Sequence, residues 1–373
     1  MTTDEILALE RAEGLSPNAG DIQRLSVELG PDLARWAIDQ WALRARGAEK
    51  FARAKSMLFT RTGLEMASHE EVAAWHASLF PRGELVIDGT CGLGSDLVAL
   101  AHRGPAIGLD LEESHTRYAK HNLKEHGLSA KVLCTGCLEW IRTNSPEYVF
   151  ADPARRSGRK RTLNPSEFEP NLDELVALLT RCKLAVLKLS PMLSDVFLES
   201  LGGKLIFVSH RGECKEAVVV FGSDSGRFAY QIEAGGYLPA FPAPASIDEP
   251  LAYLYEADPA AIRAHALGEF GLSELGSSNG YLTGEERLDL PWIKRYEVVW
   301  HGSWRPKSLK QELDSRTLRV DAVKTRGVNL EPRAVQKSLE DKKGLKQKKS
   351  RDACVVALYP VGKSIRAVIL IRD

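Results

Sequence analysis

The sequence has 373 residues, of which 44% are hydrophobic and 27% charged, and its 50 basic residues balance its 50 acidic ones. No apolar run approaches the roughly 20 residues that a membrane-spanning helix needs, and the first residues lack the apolar core of a secretory signal peptide. These features argue against a membrane protein, and we expect a cytoplasmic globular protein with two or three domains.

The six cysteines are scattered along the chain, at positions 91, 134, 137, 182, 214 and 354. Such scattering gives no disulfide framework and is typical of a protein from a reducing compartment. Cys134 and Cys137 form a C-x-x-C pair, but no second pair follows at the spacing of a zinc site. The sequence therefore predicts no metal site.

Residues 1–78 are predicted to be helical. Ile6, Leu7 and Leu9 begin an amphipathic segment, and apolar residues recur at helical spacing further along. Ser68 followed by Glu71 matches a capping box, which opens a last helix before the first strand. We expect an N-terminal helical region that ends at residue 78.

A strand, a glycine-rich loop, a helix and a second strand follow the helical region. The first strand ends at Asp88, the loop contains Gly89, Gly92 and Gly94, and the second strand ends at Asp110. Glycines allow positive φ and let a ligand approach the backbone closely. A carboxylate in the position of Asp110 can accept hydrogen bonds from ribose hydroxyls. This arrangement predicts a site for a nucleoside-bearing cofactor.

The loop argues against two common nucleotide classes. A dinucleotide fingerprint has a third glycine where this sequence has Leu97, and the Gly-Lys-Ser or Gly-Lys-Thr of a triphosphate loop does not occur here. The remaining pattern suits a cofactor with an amino-acid tail. Asp88 would hold the ammonium group of that tail indirectly, while the loop backbone packs against the sugar.

The run Asp88-Gly89-Thr90-Cys91-Gly92-Leu93-Gly94, taken with Asp110, resembles the first two motifs of class I S-adenosylmethionine-dependent methyltransferases. The resemblance implies S-adenosylmethionine as the cofactor and an α/β fold with a Rossmann-like sheet of seven strands. Thr90 stands where the family usually has glycine, and Cys137 stands where it often meets adenine with an aspartate. The cofactor-binding residues that it implies are Asp88, Gly89, Thr90, Cys91, Gly92, Gly94, Asp110, Leu111 and Cys137, with Phe59 and Thr60 from the segment before the first motif.

The predicted fourth strand, 148–151, ends in Asp152-Pro153-Ala154-Arg155. This run resembles the D-P-P-[YFR] motif of methyltransferases that act on exocyclic amino groups of bases, and it implies these four residues as catalytic. The lone pair of such an amine is delocalised, so acceptors for its protons and an in-line geometry favour its attack. Asp152 and the carbonyl of Pro153 would be the acceptors. Ala154 replaces the second proline, and Arg155 replaces the usual aromatic residue and would stack on the base or bind a phosphate.

A basic loop follows this motif. Its cations are Arg155, Arg156, Arg159, Lys160 and Arg161. Binding of phosphate groups and ion pairs with acidic helices are both consistent with these charges.

The last part of the chain is strongly basic. Residues 291–373 carry 20 Lys and Arg against 9 Asp and Glu, a net charge of +11, so the first 290 residues carry −11. Lys342 and Lys343 begin a basic run that would contact phosphates or form a solvated loop. The asymmetry favours a polyanionic partner, and RNA, either ribosomal or transfer RNA, is the expected one.

Strands at 184–189, 205–209 and 217–221 complete the predicted sheet, and the last of them is antiparallel. Lys188 lies inside the first of these apolar strands and is interpreted as structurally paired rather than catalytic. The methyltransferase domain is predicted at 79–235.

A proline-rich linker is predicted at 236–250, followed by a small α+β domain at 251–373. This domain contains YLYEADPAAIRA and VDAVKTRGVNLEP and is similar to the THUMP-like domain attached to certain bacterial class I methyltransferases. The resemblance implies RNA binding by analogy alone.

Three functions are compatible with these patterns. The first is an enzyme that methylates an exocyclic base nitrogen in RNA, and the second is a methyltransferase acting on a small molecule or a protein. The third is a cofactor-binding or RNA-binding protein that has lost catalysis, which the replacements at Cys137 and Ala154 would favour. The sequence indicates neither the methylated atom nor the oligomeric state.

Overall fold

The computed structural model describes residues 1–154, 156–157, 160–339 and 352–372, with the backbone alone at 156–157 and 160–161. The chain forms two compact units, residues 1–205 with 217–225 and residues 206–216 with 226–373. No helix within the described ranges is long and apolar enough to cross a membrane. The domain boundaries predicted at residues 78, 235 and 250 remain predictions.

The first unit begins with helices, as the sequence predicts. They are α1 (Thr3–Ala12), α2 (Ala19–Leu29), α3 (Pro31–Gly47), α4 (Arg61–Met66) and α5 (Glu70–Ser78). The side chains of Thr2 and Asn18 accept hydrogen bonds from the first turns of α1 and α2, which fixes where these helices begin. Their apolar faces form a core that also includes Leu93 and Tyr118 from the α/β part of the unit.

Strands and helices then alternate along the chain. The strands are β1 (Val86–Asp88), β2 (Ala106–Asp110), β3 (Lys131–Cys134), β4 (Tyr148–Ala151), β5 (Arg156–Ser157), β6 (Lys160–Arg161), β7 (Leu184–Leu189), β8 (Lys204–His210) and β9 (Glu213–Phe221). The helices are α6 (Ser95–Ala101), α7 (Glu113–Glu125), α8 (Cys137–Asn144), α9 (Leu172–Leu179) and α10 (Asp195–Ser200), with a 3-10 turn at Pro165–Glu167. Strands β5 and β6 form a separate antiparallel ribbon.

The sheet of the first unit has the strand order β9-β7-β4-β1-β2-β3. Neighbouring strands are parallel except β7 and β9, which are antiparallel as predicted. The chain moves from β1 outward to β3 and then returns to β4 on the other side of β1. Ligands of such α/β sheets bind at the carboxyl ends of the strands where the order reverses. That position is here the gap between the ends of β1 and β4.

The boundary between the two units passes through β8 and β9. Within the second unit, β10 (Gly226–Gln231) and β11 (Gly236–Pro239) give the strand order β11-β10-β8-β9. The prediction of seven strands is therefore not confirmed, because β10 and β11 add to the predicted set. Strand β11 also falls in the predicted linker. The proline at its end is tolerated because β11 is an edge strand.

The rest of the second unit is an α+β fold, as predicted. Its strands are β12 (Ser246–Ile247), β13 (Tyr253–Ala257), β14 (Ser273–Leu275), β15 (Tyr281–Gly284), β16 (Ile293–Ser303), β17 (Leu318–Thr325), β18 (Asp352–Val361) and β19 (Ser364–Ile371). They form a sheet in the order β12-β14-β15-β13-β16-β19-β18-β17. The helices are α11 (Pro259–Arg263), α12 (Pro306–Ser315) and α13 (Pro332–Leu339), with a 3-10 turn at Leu267–Phe270. Helices α12 and α13 pack their leucine and valine side chains on this sheet.

Candidate active site

The glycine loop joins β1 to α6 at the carboxyl end of the sheet. Gly92 and Gly94 have φ of +51° and +87°, a left-handed conformation that favours glycine. A Cβ atom at Gly94 would lie 3.3 Å from Ala119 of α7, whereas one at Gly92 would meet no atom within 4 Å. Gly94 is therefore needed for packing, and Gly92 borders open space in which a ligand can approach the backbone.

Asp110 fastens the glycine loop to the end of β2. Its Oδ2 accepts a hydrogen bond from Gly92 N at 3.0 Å, and its Oδ1 accepts one from Glu112 N at 2.8 Å. His115 Nδ1 lies 3.3 Å from Oδ1, and this hydrogen bond raises the pKa of His115. The next side chain, Leu111, is 76% exposed. A carboxylate and an exposed apolar side chain are thus adjacent where a nucleoside is predicted.

The two cysteines of the predicted cofactor site turn their thiols into the protein. A Cβ atom at Gly89 would lie 2.8 Å from Cys137 Sγ, so the two residues are closely packed. Burial, with a smaller effect of the Asp88 charge, raises the pKa of Cys137 to about 12. The Cys91 thiol packs against Gly108 of β2, and burial raises its pKa as well. Both thiols stay protonated at neutral pH, so Cys137 does not replace the aspartate charge.

Asp88 is the most unusual group of the loop. Its side chain is 1% exposed, and its Oδ1 accepts a hydrogen bond from Thr90 N at 3.2 Å. Its Oδ2 is buried and has no hydrogen-bond partner among the described residues. Burial, reinforced by the charge of Asp96, raises the pKa of Asp88 well above its usual value. A buried carboxylate with an unused oxygen fits a cationic group of a ligand.

Asp152 follows β4 and is held from two sides. Its backbone N–H donates to Thr90 Oγ1 at 2.7 Å, and its Oδ2 accepts a hydrogen bond from Lys188 Nζ at 2.7 Å. Thr90, placed by the sequence at the cofactor, therefore links the glycine loop to the Asp152 motif. Pro153, the next residue, is buried. The carboxyl ends of β1 and β4 are thus joined at this point by a side-chain hydrogen bond.

Ala154, which stands where the D-P-P motif has its second proline, uses its backbone N–H in a hydrogen bond. Its N–H donates to Glu169 O at 2.7 Å, and its carbonyl accepts from Glu169 N at 3.0 Å. Proline has no N–H and would lose the first of these bonds. The chain after Asp152 is therefore fixed through Ala154 to the segment before α9.

No protein-family model matches the chain, but individual proteins are similar to it in sequence or in fold. A protein of Mycobacterium tuberculosis, described as an uncharacterized S-adenosylmethionine-dependent methyltransferase, is 27% identical over 326 residues, or 83% of this chain and 89% of the relative. The crystal structure of a protein from Porphyromonas gingivalis W83, named as a methyltransferase, has a TM-score of 0.77 at 22% identity. That similarity covers 99% of this chain and 97% of the other, and it shows a shared fold. This chain is an S-adenosylmethionine-dependent methyltransferase.

The cofactor of this methyltransferase carries an ammonium group on its amino-acid tail. The unpartnered Oδ2 of Asp88 fits that ammonium group, and the open space at Gly92 fits the approach of the cofactor to the backbone. Asp110 and Leu111 would meet its ribose and adenine. These assignments of single residues remain predictions, as do those of Gly89, Cys91 and Gly94.

The side chains of Phe59 and Thr60, which were predicted to contact the cofactor, make other contacts in the structure. Phe59 is 1% exposed, and its ring stacks on Phe51 with centroids 5.7 Å apart. Thr60 Oγ1 accepts a hydrogen bond from Gly63 N and caps α4. The geometry argues against the predicted contacts, because the apolar core and the helix cap use both side chains.

A buried polar chain near Asp152 was missed at the level of sequence. Lys188 of β7 is hydrogen bonded to Ser68, which precedes α5. Ser68 is hydrogen bonded to Asp96 of α6, and Asp96 to His76 of α5. The available signal was Lys188, a charged residue within an apolar strand. Its pairing agrees with the interpretation made from the sequence, but its partner Asp152 is a predicted catalytic residue.

Most of the basic residues predicted to bind RNA lie outside the described part of the methyltransferase. Arg155, Arg159, Lys342 and Lys343 belong to the ranges that the structure leaves undescribed. The backbone of Arg156, Lys160 and Arg161 lies in the β5–β6 ribbon, without described side chains. Their roles remain predictions.

Proposed function

We propose that this methyltransferase methylates an exocyclic amino nitrogen of a base in RNA. The observation that carries the proposal is the position of Asp152. Its carboxylate follows β4 at the reversal of strand order, and its backbone is hydrogen bonded to Thr90 of the glycine loop at 2.7 Å. An acceptor for amine protons is thus fixed beside the proposed cofactor loop.

The chemistry of the motif suits a weakly nucleophilic amine. S-adenosylmethionine supplies an electrophilic methyl group: an N–C bond forms as the C–S bond breaks, the electron pair stays on sulfur, and one proton of the amine leaves to water. Asp152 and the carbonyl of Pro153 would accept hydrogen bonds from the two amine protons. These contacts would aim the nitrogen lone pair at the methyl carbon and hold an in-line approach.

Charge supports RNA as the substrate. Residues 291–373 carry a net charge of +11, and five cations lie between residues 155 and 161, directly after the Asp152 motif. Lys and Arg neutralise phosphates and supply most of the affinity of proteins for nucleic acid. In this proposal, residues 79–235 bind the cofactor and the base, and the THUMP-like domain at 251–373 binds the RNA backbone.

The proposal is tested with total RNA from a strain that lacks the gene, because its target sites are unmethylated. Radiolabelled S-adenosylmethionine is the methyl donor. The wild type and the control Asp224→Ala, which changes an exposed residue between β9 and β10, should label the RNA. Asp152→Ala should bind the cofactor normally in calorimetry and lose at least about 100-fold in rate.

Two results would contradict the proposal in different ways. Equal labelling by Asp152→Ala and the wild type would remove Asp152 from the reaction. An absence of label in RNA, with S-adenosylmethionine still bound by the wild type, would indicate a small molecule or a protein as the substrate.

A further inference from the structure

Lys188 is placed beside Asp152 by the register of two parallel strands. Ala151 of β4 pairs with Leu187 of β7, so the residues that follow them, Asp152 and Lys188, are neighbours at the carboxyl ends of the strands. The other residues of β7 are apolar. Moving an ammonium group into such surroundings is unfavourable unless it is paired and hydrogen bonded. The charge of Lys188 therefore needs hydrogen-bond acceptors at this position, which Asp152 and Ser68 provide.

Side-chain oxygens of Asp152 and Ser68 accept hydrogen bonds from the ammonium group of Lys188. Nζ donates to Asp152 Oδ2 at 2.7 Å and to Ser68 Oγ at 3.1 Å. The two charged side chains of this ion pair are largely buried, with exposures of 13% for Lys188 and 25% for Asp152. A pair that is shielded from water is held more firmly than the exposed pairs of a protein surface.

The chain of hydrogen bonds continues behind Ser68. Ser68 Oγ donates to Asp96 Oδ2 at 2.9 Å, and Asp96 Oδ1 lies 2.7 Å from His76 Nδ1. Burial alone would raise the pKa of Asp96, but the His76 hydrogen bond and the charges of His76 and Lys188 lower it below its usual value. Because Ser68, Asp96 and His76 are all buried, the position of the ammonium group is fixed by side chains that have little freedom to move.

We infer that Lys188 is a positioning residue that fixes the orientation of the Asp152 carboxylate for the amine substrate. A carboxylate offers about four lone-pair positions, so a hydrogen bond from Lys188 to one of its oxygens sets its rotation. The segment before α5 contributes through Ser68, which connects the N-terminal helices to the reaction site. This inference rests on the function proposed above.

The test compares Lys188→Met, which keeps the length and removes the charge, with Lys188→Arg, which keeps the charge. Under saturating S-adenosylmethionine and RNA from the gene-deleted strain, Lys188→Met should lower kcat by at least about tenfold. Its calorimetric affinity for S-adenosylmethionine should stay within about twofold of the wild type. Lys188→Arg should recover most of the rate. The control Lys183→Met changes a lysine that is 65% exposed just before β7, and its rate should not change.

A double-mutant cycle separates positioning from a general effect on folding. If Lys188 acts through Asp152, then Lys188→Met should slow the Asp152→Asn variant by no more than about twofold, since the interaction is already lost. Lys188→Gln serves in the same comparison if the methionine variant does not fold. Additive losses would show that Lys188 acts independently of Asp152 and would overturn the inference.

The outcomes also distinguish this inference from the proposed function. A wild-type rate in Lys188→Met, combined with an inactive Asp152→Ala, would overturn the inference alone. No methyl transfer to RNA by the wild type would overturn both.

Discussion

Burial of the Asp88 carboxyl opposes folding when the group is ionised. Burial and the nearby charge of Asp96 raise its pKa, so the folded protein favours the neutral form. The neutral form of Asp88 therefore contributes stability in full below the pKa of an unfolded aspartate, about 3.9. This contribution is lost as the pH rises through the raised pKa of Asp88 in the folded protein. Above the raised pKa the ionised group destabilises the cofactor-free protein, and in this form it can bind a cation.

Replacement of Asp88 should separate stability from cofactor binding. Asp88→Asn removes the buried charge, so the Tm of the cofactor-free protein should rise by about 2–4 °C at a pH above the raised pKa of Asp88. The affinity for S-adenosylmethionine should fall by at least about tenfold, because the ammonium group loses its carboxylate partner. Scanning calorimetry and titration calorimetry measure the two effects, and Asp224→Asn is the control.

The same carboxyl predicts how cofactor binding depends on pH. Binding of an ammonium group needs the ionised form, so wild-type affinity should weaken as the pH falls through the raised pKa, with release of a proton on binding. Asp88→Asn should lack this dependence. An unchanged affinity in the variant would show that Asp88 does not hold the ammonium group.

Thr90 joins two elements of the sheet, the loop after β1 and the motif after β4. Thr90→Val keeps the shape of the side chain but leaves the N–H of Asp152 without its acceptor, which should destabilise the protein by about 1 kcal/mol or more. The methylation rate should fall together with stability, because Asp152 loses its backbone anchor. Thr90→Ser keeps the oxygen and should restore both.

Urea unfolding and the RNA methylation rate provide the measurements for Thr90. A Thr90→Val variant with the stability and rate of the wild type would mean that the hydrogen bond to Asp152 has no role in the site. Loss of S-adenosylmethionine binding in both Thr90 variants would instead favour the direct cofactor contact that the sequence predicts.

The long elements were predictable because their patterns are strong. The apolar runs of β4 and β7 were predicted with the bounds that the structure has. Strands β10 to β15 were missed, because strands of two to six residues near proline and glycine give little periodicity. The predicted count of seven strands is not confirmed for the same reason, since β10 and β11 were among the missed strands.

The site was predictable only in part. The loop residues and Asp152 could be predicted because glycines after one strand and an acidic residue at the end of another are typical of a ligand site in an α/β sheet. The partners of Lys188 were not predictable, since Ser68 is 120 residues away in sequence and meets it only through the fold. The burial of Phe59 depends likewise on the packing of the N-terminal helices.

For the whole molecule, the distribution of charge supports the proposed substrate. The formal net charge is zero, but the last 83 residues carry +11 and the first 290 carry −11. Such an asymmetry lets one part of the chain attract a polyanion although the protein as a whole is neutral. The rate of methyl transfer to RNA should therefore fall steeply as the salt concentration is raised, as expected when Lys and Arg displace counterions from phosphates.

The central claim is that the site around Asp152 methylates an exocyclic amine, and the position of the methyl group in the product tests it most directly. RNA from the gene-deleted strain is labelled with the wild-type enzyme, digested to nucleosides and separated against methylated standards. We predict that the label elutes with a base methylated on its exocyclic nitrogen. Label on a ring carbon or on the ribose oxygen would contradict the role assigned to Asp152 and Pro153.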